Sequence, residues 1–216
     1  MSDRKSMDTA VSMLSRLVAF PTVSRDSNLE LIDFVEDHLS GFGARCRRTW
    51  NEDRTKANLF AAIGPDAPGG VVLSGHTDVV PVDGQDWHSD PFELTERDGL
   101  LYGRGSTDMK GFSAVFLARL AVLDPSALQK PLYLALSYDE EVGCLGIDRM
   151  VDDALAHFAR PDYAIIGEPT TMRVVRAHKS IDVFRTVVTG RAAHSSQPHR
   201  GAGAILAAAR IIEYLR

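Results

Sequence analysis

Three stretches of this 216-residue chain end an apolar run with side chains able to hold a cation or move a proton. "VVLSGHTDVV" (71–80) presents His76 and Asp78, "LYLALSYDEE" (132–141) presents Asp139, Glu140 and Glu141, and "YAIIGEPT" (163–170) presents Glu168. A further acid, Asp108, sits in the glycine-rich turn "YGRGSTDMKG" (102–111). Imidazole and carboxylates together make a mixed nitrogen–oxygen ligand set that suits zinc, and also manganese or cobalt. Because carboxylates can bridge two cations, such a site can hold a metal pair. In an extended segment His76 and Asp78 share a face, so the Asp78 carboxylate is expected to accept a hydrogen bond from the second imidazole nitrogen and fix the ring.

Taken singly, each feature has a plainer explanation. His76 could be a satisfied core histidine, Asp108 a helix N-cap, "YDEE" a solvated turn and "GEP" ordinary turn composition. Adjacent carboxylates repel, however, and burying them is costly without a compensating cation or a shared proton. The recurrence of such groups after three separate apolar runs is what favours a site. Cys144 reads as a small buried cysteine, since no histidine is paired with it locally. Trp87 and Phe92 read as packing residues.

The elements that must position these groups follow from periodicity. Apolar residues at 7, 10, 11, 14, 17 and 18 make one helical face, closed by Pro21, and a second amphipathic helix covers 28–39. The three apolar runs read as strands buried on both faces, and helical patterns at 112–123 and 145–156 separate them. This alternation predicts an α/β fold, an open mixed sheet with helices on both faces, whose functional groups collect beyond the carboxyl ends of its strands. After Lys179 the character changes: "IDVFRTVVTG" (181–190) reads as a strand, "RAAHSSQPHRGAG" (191–203) as a polar loop and "AILAAARIIEYLR" (204–216) as a helix. One strand and one helix cannot bury their apolar faces, so residues 180–216 are expected to begin a smaller second domain, after a first domain of 1–179. The chain is accordingly expected to be the N-terminal portion of something longer.

Composition narrows the class. A formal net charge of −5 argues against a nucleic-acid partner, and the one basic cluster, "RCRRTW" (45–50), reads as a short solvated surface. No apolar run approaches the roughly 20 residues that cross a bilayer. The first residues lack the apolar core of a secretory signal, and two distant cysteines give no disulfide framework. A cytoplasmic protein without a membrane partner is expected.

Five segments, "SGHTDVVP", "WHSDPFELTERDGLLYGRGSTDMKG", "LSYDEEVGCLG", "IIGEPT" and "GRAAHSSQPHRGAGAI", resemble the zinc aminoacylase and carboxypeptidase family. Within it, "SYDEEVGCLG" and the "HK" of "RAHKS" look most like the acetylornithine deacetylase branch, while the succinyl-diaminopimelate desuccinylases share most of the motifs. The resemblance implies a zinc-exopeptidase-like α/β/α catalytic domain followed by a lid and dimerisation domain. It implies two zinc ions per site, with cobalt as a substitute, and hydrolysis of a small N-acyl amino acid by a homodimer. His76 would then be a metal ligand oriented by Asp78, Asp108 would bridge two metals, and Glu141 and Glu168 would be further ligands. Glu140 would be the general base, and His194, in the lid loop, would reach across the dimer to polarise the scissile carbonyl.

Two departures accompany the resemblance. The family carries a further histidine ligand near its C-terminus, beyond the last residue here, so His76, Asp108 and Glu168 are expected to hold one metal while the second position stays incomplete. Ser180 stands where the acetylornithine deacetylases commonly have glycine. The alternatives are a related N-acyl amino acid hydrolase or an inactive truncated fragment.

Overall fold

The computed structural model describes residues 2–177, 179 and 183–216, and the chain divides into two compact units after Arg173. His178 and Ser180 of "RAHKS" lie outside the described residues, as do Ile181 and Asp182. In the first unit the order is α1 (Ser2–Val18), α2 (Leu29–Ser40), β1 (Arg45–Trp50), β2 (Ala57–Ile63), β3 (Val71–His76), β4 (Thr95–Arg97), β5 (Leu100–Tyr102), α3 (Lys110–Leu120), β6 (Leu132–Ser137), α4 (Ile147–His157) and β7 (Tyr163–Ile166).

Five strands form one mixed sheet in the order β1-β2-β6-β3-β7, and β4 and β5 make a separate small hairpin. β3 runs parallel to both its neighbours, β6 and β7, whereas β2 is antiparallel to β6 and to β1. Side-chain alternation divides the core between the two sheet faces. Leu59, Ala61 and Ile63 of β2 and Leu134 and Leu136 of β6 pack with Leu17 and Val18 of α1, Ile32 and Val35 of α2 and Leu117 of α3. Phe60, Ala62, Tyr133 and Ala135, one residue out of phase, join Val72 and Met150 of α4 on the opposite side. Each large apolar side chain buried this way contributes roughly 1.5–3 kcal/mol, so both helical layers are anchored. The expected α/β/α arrangement is present.

The local reading needed three corrections in this unit. β7, at the end of the sheet, leaves Tyr163, Ile165 and Ile166 exposed rather than buried on both faces. "RCRRTW" is the edge strand β1 rather than a solvated basic patch. Arg47 donates both Nε and Nη2 to Asp153 of α4 at 2.7 Å, and Arg48 donates to Glu36 and Asp33 of α2, so acids on both helical layers neutralise the strand. The fully buried strand β2, "ANLFAAI", had no counterpart in the sequence reading. Asn28, at the head of α2, donates to Ala57 O at 2.8 Å and to Thr77 Oγ1 at 2.9 Å, and accepts from Ala57 N at 3.0 Å. It thereby locks that helix to the start of β2.

The second unit contains α5 (Ala204–Leu215) and a loop closed by paired backbone hydrogen bonds between Arg191 and Ala202, both 2.9 Å. The strand expected at 181–190 does not form among the described residues 183–190. Its β-branched and aromatic side chains are those of a strand, but among the described residues no partner strand pairs with its backbone, and Val183, Phe184 and Val187 are exposed. Among the described residues, no helix is long and apolar enough to cross a membrane.

Candidate metal centre

The three parallel strands β6, β3 and β7 deliver the site. His76 is the last residue of β3 and lies opposite Ser137, the last residue of β6. Beyond Ser137 the chain turns through Tyr138 and Asp139 into Glu140 and Glu141, and beyond β7 it passes Gly167 to Glu168. Their carboxyl ends therefore meet at one edge of the sheet, the usual place for ligands in open α/β folds. Asp108 arrives from the turn before α3. That turn presses on the strand end: a Cβ on Gly105, at φ +82°, would stand 2.8 Å from Val79 Cγ1. The Gly105 carbonyl accepts from Lys110 N at 2.9 Å, and the Asp108–Met109 peptide bond is cis.

His76 is buried, with one ring nitrogen committed and the other facing carboxylates. Nδ1 lies 2.8 Å from the main-chain carbonyl of Asp78, which can only accept, so Nδ1 carries a proton. Nε2 stands 3.1 Å from Asp108 Oδ1, 3.8 Å from Glu168 Oε1 and 3.9 Å from Glu140 Oε2. Candidate ligand atoms of His76, Asp108 and Glu168 lie within 4.8 Å of one another, and so do those of His76, Glu140 and Glu141.

In a neutral ring with Nδ1 protonated, Nε2 presents a lone pair, which repels carboxylates unless a proton or a metal cation lies between them. The electrostatics agree. Burial opposes a charge on His76, yet its contacts with Asp78 and Asp108 raise its pKa to about 9. Burial raises the Glu141 and Glu168 carboxyls, and the neighbouring Asp108 charge raises them further. The donor set and its excess negative charge therefore fit a divalent cation.

Asp78 does more than the sequence suggested, and does it differently. Its carbonyl, not its carboxylate, is the nearer partner of the imidazole; the carboxylate Oδ1 is 3.5 Å from Nδ1. The strand ends at His76, so the two-residue alternation that would stack the side chains does not continue to position 78. Instead the carboxylate accepts from Ser24 Oγ at 2.7 Å and from the backbone amides of Glu140 at 3.1 Å and Glu141 at 3.2 Å. Burial works against its ionisation, but His76, Ser24 and the Glu140 amide outweigh it and hold its pKa below the usual value.

The fold thus brings together His76, Asp78, Asp108, Glu140, Glu141 and Glu168. His194 belongs to the second unit, where its Nδ1 is 2.8 Å from Ser196 Oγ and its side chain is exposed. Cys144 is exposed rather than buried: it occupies the turn after the acids at φ +57°, with Sγ 3.7 Å from Glu140 Oε1. Trp87 is half-buried and stacks on the Arg104 guanidinium, 5.1 Å from the ring centre, in keeping with a packing role. The sequence reading missed Ser24, Lys56 and Asn58, which hold the segments carrying the acids.

Residues 72–213 match the peptidase family M20/M25/M40. The chain is 41% identical over 208 residues to an acetylornithine deacetylase of Pasteurella multocida, covering 93% of this chain and 53% of that protein. A second acetylornithine deacetylase, from Shigella sonnei, is 41% identical over 202 residues, covering 90% of this chain and 52% of the relative. The chain therefore spans about half the length of the curated relatives it matches. Among solved structures, human carnosine dipeptidase 1 superposes with a TM-score of 0.61 at 28% identity, over 74% of this chain and 38% of that one. A tripeptidase from Staphylococcus aureus gives a TM-score of 0.66 at 20% identity, over 95% and 56% respectively, a likeness of fold. With its matched segment covering most of its length, this chain belongs to peptidase family M20/M25/M40.

Proposed function

We propose that this chain carries the cation-binding part of an amide hydrolase that removes the acyl group from an N-acylated amino acid. N-acetylornithine is the favoured substrate, and arginine biosynthesis the process served. The observation that carries this reading is the convergence of His76, Glu140, Glu141 and Glu168, beyond the ends of adjacent parallel strands, with Asp108 from the turn before α3. His76, Asp108 and Glu168 would hold one zinc, or cobalt in its place, and Asp108 with Glu141 would contribute to a second. A divalent cation bound there supplies Lewis acidity toward water and an amide carbonyl.

The protein's own groups have separable tasks. The Asp78 carbonyl holds the imidazole with Nε2 turned to the site. Glu140 accepts a proton from the attacking water and returns it to the leaving amine, acting as base and then as acid. Cleavage of the amide thus yields acetate and the free amino group of ornithine. His194, in a homodimer, would reach the partner's site and donate a hydrogen bond to the developing oxyanion. Residues 180–216 would then begin a lid and dimerisation domain.

Acetate release from N-acetyl-L-ornithine, measured before and after a chelator, tests this. Hydrolysis that stops with the chelator and returns with zinc or cobalt is the expected result. Chelator-insensitive hydrolysis contradicts it, and faster turnover of N-succinyl-diaminopimelate assigns the protein to the desuccinylase reading instead.

A further inference from the structure

A polar network behind the acidic turn begins at Lys56, in the connection between β1 and β2. The Lys56 ammonium donates to Asp139 Oδ1 at 2.6 Å and also to the main-chain carbonyl of Ser24. The side chains of this ion pair are only 12% and 14% exposed. Ser24 in turn donates its hydroxyl to Asp78, whose carboxylate receives the amides of Glu140 and Glu141. Two residues along, Asn58 accepts from Tyr138 N at 3.1 Å and donates to Gly146 O at 2.9 Å, pinning both ends of the same turn.

The turn needs such support for two reasons. Asp139 adopts φ +56°, a left-handed conformation that persists in a non-glycine residue only when its surroundings hold it. Glu140 and Glu141 are adjacent like charges facing Asp108, and their repulsion would splay an unsupported loop. Lys56 answers both. It fixes Asp139 in the strained conformation, and it draws the first acid of "DEE" away, leaving the other two to face His76. A pair this sheltered is screened far less than a surface salt bridge.

We propose that Lys56 is a positioning residue: by clamping Asp139 to the Ser24 carbonyl it sets how Glu140 and Glu141 leave β6, and so how tightly the His76 cluster holds a cation. The second half of that statement rests on the cation-binding role proposed above; the first does not. The Lys56 ammonium bonds to Asp139 and the Ser24 carbonyl, not to His76, Glu140 or Glu141, so it acts through the turn.

Two measurements on Lys56→Met, Lys56→Arg and the control Lys130→Met test it. Lys130 makes a comparable 2.8 Å pair with Asp162 on an exposed surface. In the metal-free protein, Lys56→Met is expected to speed amide hydrogen exchange at Glu140 and Glu141 by about tenfold, with Leu134 and Leu136 of β6 unchanged. Lys56→Arg should restore most of the protection, and Lys130→Met should leave it as in the wild type. Unaltered exchange at the two glutamates, or equal acceleration at Leu134 and Leu136, overturns the proposal. The second measurement is cobalt titration, in which Lys56→Met should weaken binding about tenfold. Undiminished cobalt affinity in that variant overturns the link to cation binding. A wild type that binds no cobalt contradicts the cation-binding role itself, and exchange at Glu140 and Glu141 then still decides whether Lys56 holds the turn.

Discussion

His76 enters the site with Nδ1 already spent on the Asp78 carbonyl, which leaves Nε2 as the only ring atom free to take a ligand. Around it, Glu140 and Glu141 are sequence neighbours with different proposed tasks, one moving a proton and one binding metal. That division makes a prediction at the residue scale. Glu140→Gln should abolish turnover while keeping cobalt affinity within about threefold, whereas Glu168→Gln should weaken cobalt binding by about a hundredfold or more. Isothermal titration of both variants checks this, and the reverse ranking would show that Glu140 is a ligand.

His76, Glu140, Glu141 and Glu168 were legible because each follows or interrupts an apolar run, a local and unusual event, and Asp108 because it sits in a glycine-rich turn. Ser24, Lys56 and Asn58 were not, because polar residues near loops are ordinary. Their tasks arise from which strands lie side by side, which no local pattern encodes. Cys144 was misjudged for a related reason: its exposure is set by the turn that carries the acids, not by its own chemistry.

At the scale of elements, long-period signals read well and mixed ones did not. α1 and α2 stood out through apolar spacing, and β3, β6 and β7 through near-continuous apolar runs. β2 was hidden by its alanines and by Asn58, which satisfies its polar atoms inside the protein. β1 was hidden by arginines whose partners lie on α2 and α4. The opposite error came at 183–190, where strand-forming residues lack a partner strand among the described residues. The clamp at Asn28 shows how far such tertiary bonds organise the site edge, since it joins α2, β2 and Thr77, next to His76. Asn28→Ala leaves those buried groups unpaired and should cost about 1–3 kcal/mol. Urea denaturation reads this directly: a lower midpoint at constant slope is expected, and an unchanged midpoint would remove Asn28 from the account.

For the whole molecule, the sheet order matters more than any single residue. Placing β3 between β6 and β7, all parallel, brings His76 beside acids that lie roughly thirty to ninety positions away in the chain. The alternation of strands and helices made the α/β class and the site edge readable, but not the sheet order, which depends on non-local pairing. This arrangement makes a cation site built on His76, as proposed above. Its most direct test is titration of the metal-free protein with cobalt, followed by visible absorption, for the wild type and His76→Ala. The predicted result is saturable uptake of at least one cobalt per chain in the wild type and its loss in His76→Ala. Absence of saturable uptake in the wild type, or equal uptake in the variant, would contradict the claim.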